Sequence, residues 1–123
     1  MKGVAASGDA YEIDRTLYPN GMRHDGEQLK IVPTNRTKIL RLHLLLITNK
    51  YQSYQATLLR SDGNSVERQT GLAATVHDGN NSAVVMRLSL QRLTAGDYRI
   101  ELTGQVENQS EVIAIYYFRL VNL

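Results

Sequence analysis

The sequence has no cysteine, no tryptophan and only two prolines in 123 residues. Without cysteine there is no disulfide, thiol nucleophile or thiolate-bound metal, so the fold has to be held by apolar burial. A chain of this length can manage that as one domain, since surface scaling implies that roughly two-thirds of its unfolded accessible surface leaves water on folding. Missing cysteine assigns no compartment, because cytosolic and extracytoplasmic bacterial domains both do without it. A surplus of one charge is absent too: 14 basic side chains stand against 12 acidic ones, a net charge of +2. The arginines, among them Arg15, Arg41, Arg60, Arg87 and Arg119, are dispersed, so no phosphate-binding field builds up and nucleic acid is not an expected partner. Long apolar runs are also lacking. Leu44 to Ile47 is strand-sized and far short of a membrane span. The first residues, Met1-Lys2-Gly3-Val4-Ala5-Ala6-Ser7, contain no apolar signal core, so export or membrane attachment is expected to depend on a segment outside this sequence.

Helical spacing of apolar residues is missing as well, whereas period-two alternation recurs. Leu40, Leu42 and Leu44 alternate with Arg41 and His43; Met86, Leu88 and Leu90 alternate with Arg87, Ser89 and Gln91; Tyr98, Ile100 and Leu102 alternate with Arg99, Glu101 and Thr103. Each run has one apolar and one polar face, which predicts strands closing over a shared core. Residues 1–27, with their Pro19-Asn20-Gly21 and Asp25-Gly26 turn signals, are expected to form an extended N-terminal arm, in which Tyr11-Glu12-Ile13-Asp14 has the period of an added edge strand. Residues 28–123 are expected to form seven antiparallel strands near 28–32, 38–47, 53–59, 65–70, 83–90, 97–103 and 111–121. Pro33, Ser61-Asp62-Gly63-Asn64 and Asp78-Gly79-Asn80-Asn81 supply the breaks, through a missing ladder donor or tolerance of positive φ.

Leu93-Thr94-Ala95-Gly96-Asp97-Tyr98 resembles the approach to the sixth strand of immunoglobulin-like sandwiches, where a corner tyrosine bonds back to upstream backbone. Tyr98 would be that residue, and Ile100 stands where antibody domains carry a cysteine. The fold class expected is therefore all-β, an immunoglobulin-like, cysteine-free β-sandwich. Together, Lys50-Tyr51-Gln52-Ser53-Tyr54, the 93–104 segment and Ala114-Ile115-Tyr116-Tyr117-Phe118-Arg119-Leu120 are similar to the extracytoplasmic sandwich of bacterial zinc-finger, anti-sigma-factor-like membrane proteins, over about residues 29–121. That resemblance implies a periplasmic or cell-surface location. It carries architecture and no ligand or catalytic residue.

Catalytic patterns are not found in the sequence. His24, His43 and His77 lack metal-ligand spacing, and His43 should point outward from its strand to pack or pair. No Gly-x-Ser-x-Gly elbow and no phosphate-binding glycine loop occur. The expectation is a non-enzymatic chain without metal, cofactor or small-molecule substrate.

The informative segment is the last strand, because both its even and odd positions are largely apolar. With Ala114, Tyr116, Phe118 and Leu120 inside, Ile113, Ile115, Tyr117 and Val121 need other cover, as do Leu45 and Ile47. One source is the arm, through Tyr11, Ile13, Leu17 and Tyr18; the other is a protein partner or a second copy, since exposed apolar area marks interfaces. Two functions follow as expectations: an interaction or sensory module acting through the last-strand face, or a filament subunit assembled by N-terminal strand exchange. A sugar platform of Tyr51, Tyr54 and Tyr117 is a weaker third.

Overall fold

The computed structural model describes residues 11–19, 29–48, 50–79 and 81–121. They form nine strands: β1 Glu12–Leu17, β2 Leu29–Ile31, β3 Ile39–Leu45, β4 Ser53–Arg60, β5 Ser65–Leu72, β6 Ala74–Asp78, β7 Asn81–Ser89, β8 Gly96–Val106 and β9 Gln109–Leu120. One sheet has the order β1-β3-β7-β6 and the other β2-β9-β8-β4-β5. The molecule is thus an all-β sandwich. The core lies where the alternating runs predict. Leu40, Leu42 and Leu44 sit opposite Leu88, Met86 and Val84, all fully or almost fully buried. Facing them, Ile100 pairs with Tyr116 and Leu102 with Ala114 on the second sheet. Tyr98 stacks on Phe118 with ring centroids 5.3 Å apart.

Two features differ from the expectation of seven antiparallel strands. β6 is an additional strand, which Gly71, Ala73 and Ala74 hide because small residues carry little strand preference. Moreover, both sheets are mixed, since β1 runs parallel to β3 and β2 parallel to β9. Parallel neighbours need a crossover. The chain supplies it by switching sheets, passing from β1 in the first sheet to β2 in the second before returning as β3.

The expected edge strand of the arm is present and longer than the alternation indicated, reaching Leu17. Its place also corrects the idea that it covers the last strand: β1 flanks β3, in the sheet to which β9 does not belong. The tyrosine hydroxyl of Tyr98 donates to the Thr94 carbonyl at 2.7 Å and accepts from the Thr94 N–H at 3.0 Å, pinning the turn that feeds β8. The Asn20-Gly21 and Asp25-Gly26 turn signals, together with His24, lie outside the described residues.

Candidate interaction site

On β9 the even positions go inward as expected: Ala114, Tyr116, Phe118 and Leu120 are buried. The odd positions do not behave as one set. The β8–β9 ladder slips at Leu102, which pairs with Ala114 while Thr103 pairs with Val112, so Ile113 is the extra residue of a bulge. The bulge turns Ile113 against the core and leaves Val112 exposed. Beyond it, Ile115 lies beside Glu101 and Tyr117 beside Arg99, so charged neighbours on β8 interrupt the outer face of β9. The next position, Arg119, bonds Asp97 at 2.7 Å, and that carboxylate raises the guanidinium pKa. Val121 is half-buried and its N–H donates to the Ile31 carbonyl at 3.0 Å.

Two exposed apolar side chains, Ile47 and Val112, come together where the end of β3 meets the start of β9. A cleft of about 370 Å³ opens there, floored by Leu46, Ile113, Ala114 and Tyr116, with Tyr51 as a wall. Ile47 and Val112 stand on its rim, 66% and 55% exposed. Two tyrosines build it. The Tyr116 hydroxyl donates to the Leu45 carbonyl at 2.6 Å, tying β9 to β3 across the sandwich, and burial pushes this phenol far above its ordinary pKa. The Tyr51 ring lies flat on Gly104, so close that a Cβ there would sit 2.5 Å from Tyr51 Cγ. Its hydroxyl donates to Glu111 Oε2 at 2.6 Å, and acceptance by that carboxylate keeps the phenol protonated beyond its usual range. Lys50 Nζ stands 5.6 Å from the centre of the same ring, giving the apolar cleft a rim with charge of both signs.

Of the residues singled out in the sequence, the structure brings Ile47 and Ile113 together in this cleft, with Leu45 contributing its carbonyl. Ile115, Tyr117 and Val121 stay apart from it. Tyr11, 61% exposed, and Ile13, packed on the core, belong to the β1 edge. Lys50, Glu111 and Val112 were assigned to no site in the sequence and Tyr51 only to a sugar platform, since Tyr51 and Glu111 meet across a 60-residue separation. The tyrosine platform fails because Tyr54 is buried in the core.

A second cluster lines the outer face at β1. Arg87 Nη2 lies 2.7 Å from Glu12 Oε2 and Arg41 Nη1 3.6 Å from Glu12 Oε1. Arg41 Nε and His43 Nε2 share Asp14 Oδ1, at 3.3 and 2.8 Å. Thr16 Oγ1 and His77 Nε2 are 3.3 Å apart, and the His43 and His77 rings 5.1 Å. His43 thus points outward and pairs, as its place in the alternation predicts. Among the described residues no group of three or more His, Cys, Asp or Glu side chains is placed to hold a metal ion. No helix there is long and apolar enough to cross a membrane. No protein-family model matches the chain, and no curated protein matches its sequence.

Proposed function

We propose that the chain is an immunoglobulin-like, non-catalytic interaction module that works by protein–protein contact at the β3–β9 end of the sandwich. The strand orders support the immunoglobulin-like type: β3-β7-β6 follows the order of strands B, E and D of such domains, and β9-β8-β4-β5 that of G, F, C and C′. The Tyr98 hydroxyl bonds to Thr94 support it further. The extracytoplasmic location belongs to the same proposal and rests on the resemblance to bacterial membrane-protein ectodomains alone.

The observation that carries the contact role is the pair of exposed β-branched side chains, Ile47 and Val112, flanking an apolar cleft. Apolar contacts rimmed by polar groups are the usual anatomy of an interface. The partner in this reading is a second copy of this chain. Light scattering on the full chain should then show association that rises with concentration and disappears in Ile47→Asp and Val112→Asp. A parent chain that stays monomeric into the millimolar range contradicts it.

A second reading, a filament subunit, draws on the edge position of β1. A strand that leaves its own β3 for that of a neighbour makes a head-to-tail contact, which propagates unless the rotation closes. Long assemblies lost when residues 1–18 are removed would support the filament, and their absence at high concentration would exclude it.

A further inference from the structure

We infer that the β3 edge is a strand-addition site with a readable code, and that the segment it selects is Glu12–Leu17 of a second copy. The inference rests on the strand-exchange reading and adds the chemistry of recognition. β1 is the present occupant and shows what the edge accepts. Along one side, Leu17 is buried and Ile13 packs on the core, so the edge offers two apolar sockets four residues apart. Along the other, Glu12 and Asp14 face Arg41, His43 and Arg87. The groove is basic where the strand is acidic. The code is therefore an extended segment with alternating carboxylates on its outer face and two aliphatic anchors on its inner face.

The attachment is also suited to reversal. β1 has a single strand neighbour, β3. Ordering its backbone costs on the order of 1–2 kcal/mol per residue. Against this stand one fully buried side chain, one partly buried one and ion pairs whose carboxylates are 30% and 52% exposed. Exposed pairs stabilise by roughly 0–1 kcal/mol each, so they serve register and partner choice more than affinity. Such an edge belongs to the low-stability end of a fold and opens locally. Once open, β3 presents unpaired backbone groups, which an extended segment satisfies by strand addition.

The cysteine-free background makes the test clean. Thr16 and His43 are register partners across β1 and β3, at a strand spacing that a disulfide spans. A Thr16→Cys/His43→Cys chain should close within itself under mild oxidation. Mixing a Thr16→Cys chain with a His43→Cys chain at about millimolar concentration, comparable to the effective concentration of a tethered strand, should give the mixed disulfide. Adding Glu12→Lys and Asp14→Lys to the Thr16→Cys chain should lower that product severalfold. Pairing this reversed strand with a His43→Cys chain carrying Arg41→Glu and Arg87→Glu should restore it. Circular dichroism of each variant checks that the sandwich is retained. A mixed disulfide indifferent to charge reversal overturns the code while exchange stands. Closure within the double variant with no mixed product overturns exchange and code together, and a double variant that does not close overturns the β1–β3 register itself.

Discussion

Two strands precede β3, and both join the edge of a sheet by parallel pairing, yet they are held differently. β2 has three residues, with Ile31 fully buried, Leu29 packed on the core, and the Ile31 carbonyl accepting from Val121. β1 has six, with Leu17 buried and Ile13 on the core, and it adds the ion pairs of Glu12 and Asp14. The apolar anchoring is nearly equal in spite of the twofold difference in length. The extra residues of β1 bring ion pairs that match the β3 register while contributing little stability. The same apolar anchoring has to order twice as many residues in β1, so β1 is the less firmly attached of the two.

The largest effects should come from the anchors. Ile31→Ala and Leu17→Ala each remove a buried aliphatic side chain, at a cost of about 2–5 kcal/mol. Denaturant unfolding should show the Ile31→Ala loss as a lower midpoint of the whole chain. For Leu17→Ala the loss should appear first as faster amide exchange confined to β1. Equal global losses would erase the comparison.

A site outside both strands sets the scale. Gly104→Ala drives a methyl group into the Tyr51 ring, and overpacking of this kind costs about 1–3 kcal/mol. It should also disturb the cleft, read as a changed Tyr51 environment in aromatic NMR. Tyr98→Phe leaves the Phe118 stack and removes the hydroxyl bonds to Thr94, a loss of about 0.5–1.5 kcal/mol by thermal unfolding.

Smallest is Asp14→Asn, expected to cost roughly 0–1 kcal/mol and to reduce the salt sensitivity of β1 exchange. A loss as large as that of Leu17→Ala would mean that charge, and not the aliphatic anchor, holds the strand.

Much of this fold was legible because burial follows local alternation. Leu40, Leu42 and Leu44, and Tyr98, Ile100 and Leu102, announce their inward faces residue by residue. What escaped depends on relations that no local window contains. Ile113 was read as outward because its parity demands it, but the bulge at Leu102 shifts the parity. One of the two expected covers of the last strand was the arm with Ile13; the neighbour of Ile13 is β3, reached by sheet switching through β2. β6 was passed over because Gly71 and Ala73 precede it and Ala74 opens it. The cleft was half visible: the alternation singled out Ile47, whereas Tyr51 and Glu111 become neighbours only when β4 and β9 pair on either side of β8.

The central claim is that a permanently closed sandwich carries one separable edge strand on β3. Native-state hydrogen exchange in low denaturant tests it directly. The account predicts that bonded amides of β1 exchange through an opening of their own, at a lower free energy than those of β8 and β9. Exchange of β1 only with global unfolding, at the same free energy as β8 and β9, would contradict it.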